Sequence, residues 1–380
     1  MAERTARQSN IELLRIVAAI GVVLLHFNNP SLGGGFSAVT NGSAEQFLIV
    51  FFESACICAV NLFVLISGYF MRKSMKRDIL KPIELFTMYI VFELASYLIK
   101  ELPKGNPFTI SRFLRYFTAS YWFIFVYITL YLISPYINVL MKHLDMKEKK
   151  TLLILLIILF SVYPIIMDSL TLMPGFSLWS GTNYGKSQGL SSIGLFGSGA
   201  GYTIINFVLM YIIGYYLKDI EEKGVKFKSL NLLVLYLINI LVIVCWIYGE
   251  SSITGLSLNF STGLNYENPF VISEAVIVFL LFKNMKIKNN KIINILAAAS
   301  FPTYLIHINL IYGFYFDFFI SSGPFIFVIY MLGSLVAVYL ICFVIYMIYD
   351  LITKPLFRFI SGKWQKRRFI IVNEDSGDNQ

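Results

Sequence analysis

Ten apolar stretches account for most of the chain, at roughly 10–28, 47–71, 79–100, 121–141, 151–168, 203–217, 229–248, 268–283, 292–316 and 324–350. Most approach or exceed the ~20 residues a helix needs to cross a bilayer core, where every backbone N–H and C=O must be bonded within the segment. A 380-residue chain that is 57% hydrophobic and only 14% charged lacks the polar surface of a water-soluble domain. The expected fold is therefore all-α, a polytopic membrane protein of about ten transmembrane helices. No loop between the stretches is long enough to bury a core of its own. The expected organisation is one transmembrane domain over 1–355 and a basic, then polar tail over 356–380, its end "VNEDSGDNQ" disordered by composition.

The formal net charge of +9 is a topology signal. Of the 31 Lys and Arg, 25 fall before the first stretch, in the connections 72–81, 142–150, 218–228 and 283–291, or from Lys354 onward. All these places lie on one side of a ten-span protein, so the positive-inside rule puts both termini in the cytoplasm of a multi-pass cell (plasma) membrane protein. The same short loops cannot build the compact basic domain that nucleic acid binding needs. Arg4 and Arg7 before an apolar run also suit a signal peptide, but nine further spans and the polar residues inside the first argue that it is retained. The four cysteines sit inside spans without the neighbouring ligands a zinc site wants, so they read as apolar thiols and no metal is expected.

The first stretch, "LLRIVAAIGVVLLHF", carries Arg15 and His26. Eleven residues on an α-helix give ~16 Å of rise and about three turns, which places both side chains on one face. An arginine inside a membrane must meet the bundle interior, an anionic ligand or water, or must snorkel to the interface. Snorkelling leaves His26 on the same stripe unexplained. Histidine titrates nearest neutrality and suits removal of a proton from an alcohol. "SNIE" at 9–12 fits a capping box that starts this helix. Elsewhere, His307 reads as a second acid/base, an acceptor-binding group or a satisfied interior histidine. Glu53, Glu93 and Glu274 each lie in the outer half of a span, where one of them could orient a histidine. On the outer loops, Trp179 and Tyr184 with neighbouring amides suit a sugar ring or an interfacial aromatic belt.

Arg-x10-His on the first helix, "AVNLFVLISGYFMRK" at 59–73, "YWFIFVYITLYLISP" at 121–135 and "SFPTYLIH" at 300–307 together resemble the membrane acyltransferase-3 family, polysaccharide O-acetyltransferase type, over essentially the whole chain. The resemblance implies transfer of an acyl group, usually acetyl from cytosolic acetyl-CoA, to a hydroxyl of a bacterial surface polysaccharide or its lipid-linked precursor. His26 then matches the family's essential histidine, the expected general base, and Arg15 its paired arginine. Asn61, Ser67 and Trp122 match family positions for substrate contact or helix packing. Where the family often has Arg-x-Arg, this chain reads Arg72-Lys73-Ser74. Arg72, Lys73, Lys76 and Arg77 form a cytosolic basic cluster where coenzyme A phosphates could dock, although positive-inside bias alone also produces such a cluster. Acetyl-CoA enters as donor substrate, with no permanently bound cofactor. The competing reading is a transporter or flippase of glycan or acyl donor, with the histidines as proton-coupling groups.

Overall fold

The computed structural model describes residues 7–371, except 106, 113, 115–120, 171, 174–198, 259, 261, 312–313 and 364–368. Ten helices of some length carry the described chain. They are α1 (Ser9–Asn28), α2 (Ala44–Met71), α3 (Leu80–Glu101), α4 (Trp122–His143) and α5 (Met146–Leu170), then α6 (Ile204–Glu222), α7 (Ser229–Thr254), α8 (Pro269–Asn284), α9 (Lys291–Ile306) and α10 (Pro324–Lys363). Each coincides with one of the ten apolar stretches, and seven are long and apolar enough to cross a membrane. α6 misses that description because Lys218, Asp219, Glu221 and Glu222 crowd its last turns, while α8 and α9 are shorter. The protein is an all-α multi-pass membrane protein.

α1 and α2 form the centre. In each, 72% of the most apolar stretch is buried, against 22% in α5, which turns most of its surface outward. α2 breaks at Ile57 and Cys58 before resuming, so its two halves point differently. The most extensive helix contact is α2 against α6. A Cβ at Gly68 would lie 2.0 Å from the Tyr211 carbonyl oxygen, and one at Gly214 would lie 2.2 Å from that of Leu65. The two glycines thus let backbone meet backbone, the usual device where the hydrophobic effect cannot drive helices together.

Ser9 does not cap α1 as expected. Its hydroxyl donates to Asn294 Oδ1 at 3.0 Å and accepts from the Asn290 backbone N–H at 2.8 Å, which pins α1 to the start of α9. Gln8 occupies the N-cap position without a side-chain bond. A tertiary partner has outcompeted the local one. The chain also crosses the expected boundary at 355, since α10 runs on to Lys363. A short strand β2 (Phe369–Ile371) then pairs antiparallel with β1 (Lys76–Asp78), Arg77 opposite Ile370. Residues 372–380, expected to be disordered, lie outside the described residues.

An ion network closes one end of the bundle, the end that carries the basic connections. Arg72 pairs with Asp219 and Glu222, and Lys149 reaches Asp219 at 2.7 Å. Lys218 and Lys283 hold Glu221 at 2.5 and 3.2 Å, and the Tyr69 hydroxyl donates to the same carboxylate. Glu221 and Glu222 lie beyond the apolar part of α6. Burial pushes the Glu221 carboxyl up, but hydrogen bonds from Lys218, Tyr69 and Lys283 outweigh it and bring it to about 2. The hydrogen bond from Arg72 likewise holds Glu222 below the usual carboxylate range. A carboxylate depressed on folding stabilises fully above its ordinary value of 4.5 and loses that contribution as pH falls through the folded value. Thermal unfolding of the detergent-solubilised protein should therefore shift to lower temperature as pH drops from about 4.5 toward 2, and Glu221→Gln should flatten that part of the profile.

Candidate active site

Arg15, Ala19, Val22 and His26 follow one another along α1 at steps of four, three and four residues, the spacing that keeps side chains on a single helix face. At the basic end this face opens on a cavity of about 520 Å³, whose wall includes Arg7, Glu12, Arg15, Ser67, Lys81 and Tyr127. Arg15 remains partly exposed there, paired with Glu12 at 3.2 Å. A neighbouring cavity of about 400 Å³ adds Arg72, Lys73 and Lys218 around the same Arg7 and Arg15, against only Glu12 and Glu222 as anions. Further into the bundle lies a void of about 20 Å³ bounded by Ala19, Val22, Val60 and Tyr304. Phe63, Phe123, Ser300 and Phe301 line both it and the larger cavity, so the void continues the cavity along the α1 stripe.

At the far end of the stripe the structure joins His26 to His307. His26 Nδ1 lies 2.5 Å from His307 Nε2, and the rings are nearly parallel, 15° apart with centroids separated by 4.7 Å. Rings lying face to face could not bring two nitrogens so near, so they meet edge to edge along a hydrogen bond. His307 Nδ1 lies 2.7 Å from the Thr303 carbonyl oxygen one turn earlier on α9. That oxygen only accepts, so His307 carries its proton on Nδ1. His307 is fully buried, where an imidazolium without an anionic partner is costly, and a neutral ring then presents a lone pair at Nε2. His26 must donate to it from Nδ1. The remaining lone pair therefore sits on His26 Nε2, which has no hydrogen-bond partner among the described residues, on a ring that is only half-buried. The chain Thr303 carbonyl, His307, His26 fixes one tautomer and leaves one basic nitrogen free, the logic by which a base is oriented by a third group.

None of the three carboxylates bonds to either ring. Glu53 accepts from Asn28 Nδ2 at 2.7 Å, Glu93 lies beside Tyr89 and Tyr121, and neither Glu274 oxygen has a hydrogen-bond partner. The group that His26 Nδ1 meets is instead the second ring nitrogen of His307. Of the basic cluster, Arg72 and Lys73 line the smaller cavity, Arg72 already engaged by Asp219 and Glu222 and Lys73 by Glu222 at 3.2 Å. Lys76 lies exposed on β1. Arg77 turns inward, donating to Ser134 Oγ at 2.8 Å and to the Ser74 and Lys76 carbonyls. It holds its own loop in place. Asn61 donates to the Tyr266 carbonyl at 2.8 Å and accepts from Asn206, a structural lock. Ser67 shares a 3.0 Å hydrogen bond with the Tyr127 hydroxyl on the cavity wall. Trp122 packs edge-on against Tyr202 at 4.5 Å and near Tyr266, at the end of the bundle opposite the ion network. Trp179 and Tyr184 lie outside the described residues. Arg7 and Lys218 were not singled out by the sequence, because a lone cation near a helix end looks like topology bias until a cavity is seen beside it.

A bundle of apolar helices thus holds a cation-mouthed cavity at one end of the α1 stripe and a hydrogen-bonded histidine pair at the other. A sequence model of the acyltransferase-3 family, described as an acyltransferase domain, matches residues 8–347. The chain belongs to that family and is a membrane acyltransferase. No curated relative and no solved structure matches it significantly.

Proposed function

We propose that the protein is an O-acyltransferase of the cell membrane, both termini cytoplasmic, that moves an acetyl group from cytosolic acetyl-CoA to a hydroxyl of a bacterial surface polysaccharide or its lipid-linked precursor. The free Nε2 of His26, fixed by His307, is the observation that carries this reading. Arg7, Arg15, Lys73 and Lys218 surround the basic cavities, and fixed cations at that density suit the phosphates of coenzyme A. The thioester arm then runs along the Arg15, Ala19, Val22, His26 stripe. The acceptor approaches from the opposite end, where the Trp122 cluster offers ring contacts.

His26 Nε2 takes the proton of the acceptor hydroxyl as its oxygen bonds to the thioester carbonyl carbon. Collapse of the tetrahedral intermediate breaks the C–S bond, and the proton passes from His26 to the departing thiolate. The products are an O-acyl ester and free coenzyme A. While His26 holds the extra proton, the lone pair on His307 Nε2 continues to accept from His26 Nδ1–H, so the charge forms without rearrangement.

NMR of the surface glycan from cells with and without this chain tests the proposal. The expected result is O-acetyl resonances that require the chain. Glycan lost from the surface, with unchanged acetylation of what remains, would favour the transport reading instead. Arg15→Ala should raise the donor KM on the order of tenfold to a hundredfold, the worth of one charge-assisted hydrogen bond, with Arg15→Lys recovering part of it.

A further inference from the structure

A further polar cavity of about 320 Å³ lies between α3 and α10, at the end of the bundle that carries the basic connections. α3 starts at this end and α10 finishes there, as the pairing of β1 with β2 beside them shows. The two helices touch where the Phe92 and Tyr349 rings lie 5.3 Å apart. The cavity is lined by Glu84 and Met88 of α3 and by Asp350, Lys354, Phe357 and Arg358 of α10, with the ring of Tyr349 in its wall. Lys354 holds Asp350 at 2.6 Å. Arg358 makes no hydrogen bond or ion pair among the described residues. The space thus carries charges of both signs, and one of its guanidinium groups is uncommitted.

Its depth in the membrane follows from the length of α10. Forty residues rise ~60 Å, against ~40–45 Å for a bilayer with its headgroups and ~30 Å for the hydrocarbon core alone. Asp350 and Arg358 come ~39 and ~51 Å along the helix, past the hydrocarbon and at the level of headgroups. The flanks of the cavity stripe nevertheless stay apolar. Leu351 and Ile352 are 77% and 70% exposed, and Leu356, Phe359 and, on α3, Ile83 are exposed as well. An apolar face turned outward beside a charged stripe meets lipid, and what reaches the cavity from the side at this depth is a headgroup.

We infer that the cavity is a binding site for a phospholipid whose headgroup carries a primary ammonium beyond its phosphate. Arg358 and Lys354 receive the phosphate, because a guanidinium and an ammonium pair with it through charge-assisted hydrogen bonds. The Glu84 carboxylate receives the ammonium, and the aromatic faces of Tyr346, Tyr349 and Phe357 in the same wall attract a cation further. A headgroup with a phosphate alone leaves the two carboxylates facing its negative charge, whereas one with both charges meets both signs of the wall. The site stands apart from the acyl donor and acceptor, although Glu84 also lines the 520 Å³ cavity, so the two spaces share a wall.

The test titrates the full chain, purified in detergent, with phosphatidylethanolamine or phosphatidylglycerol of the same acyl chains and reads the lipid-bound fraction by native mass spectrometry. The wild type should bind phosphatidylethanolamine at least tenfold more tightly than phosphatidylglycerol. Arg358→Gln and Glu84→Gln should each weaken phosphatidylethanolamine binding by about tenfold or more, the worth of one charge-assisted hydrogen bond, with Arg358→Lys recovering part of it. Lys288→Gln, an exposed cation elsewhere on the same end, should change nothing. Arg358 is itself exposed, so its substitution leaves the packing intact, and an unaltered size-exclusion profile checks this. Equal or tighter binding of phosphatidylglycerol, or undiminished phosphatidylethanolamine binding by Arg358→Gln, overturns the inference. So does full displacement of the lipid by equimolar glycerophosphoethanolamine, which would make the ligand a soluble phosphate ester.

Discussion

His26→Gln should reduce acyl transfer to the glycan by roughly 10²- to 10⁴-fold, the range that a positioned general base contributes. Glutamine approximates the length of the ring and can still donate an N–H to His307 Nε2, so the bundle keeps its internal bond while losing the nitrogen proposed to take the proton. Loss of rate with normal protein in the membrane then reports chemistry. The effect should fall on kcat, with little change in donor KM, because the cations proposed to bind the donor phosphates lie some three helical turns away. Thiol release from acetyl-CoA in vesicles, at protein levels matched by immunoblot, is the check. A variant that retains half the wild-type rate contradicts the role given to this ring.

Gly214→Val should largely remove the folded protein from the membrane, and Gly68→Ala should lower its unfolding temperature sharply. A Cβ at either position would meet a backbone carbonyl oxygen of the facing helix at about 2 Å, well inside contact distance. Backbone cannot rotate away as a side chain can, so α2 and α6 must separate. Overpacking of this kind costs ~1–3 kcal/mol when side chains can adjust and more when they cannot. Separation would also pull Arg72 from Asp219 and Glu222, leaving a buried cation and its partners uncompensated. Gly249→Ala and Gly333→Ala are the controls, since nothing lies within 4 Å of a Cβ at either site. Size-exclusion profiles of the four variants in detergent should divide them into two clear pairs.

The helices were legible because a bilayer leaves backbone polar groups no partner outside the segment, so apolar length and helix coincide along α1 to α10. The shared face of Arg15 and His26 was legible for a simpler reason: both lie on one helix, where spacing fixes direction. What orients His26 was not legible. Its partner lies 281 residues away, and no spacing rule reaches across a bundle. A carboxylate was the chemically conventional expectation, yet Glu53 is committed to Asn28 and Glu274 sits apart without a partner. Arg77 misled in the opposite way. In a run of basic residues it looks like its neighbours, and only the fold shows that loop carbonyls and Ser134 consume its guanidinium. The Ser9 cap failed similarly, because a local motif lost to the partners that α9 brings within reach. In each case a long-range partner outweighs the local preference.

A double-mutant cycle on acyl-transfer rate tests most directly whether the two histidines act as one device. Rates are measured for wild type, His26→Gln, His307→Gln and the double variant, at matched protein levels. Residues that work as a unit lose their effect once, so the double variant should be no slower than His26→Gln alone, while His307→Gln by itself should already cost a large part of the rate. An unchanged rate in His307→Gln, or two losses that multiply in the double variant, would show that His26 works without the partner the structure gives it.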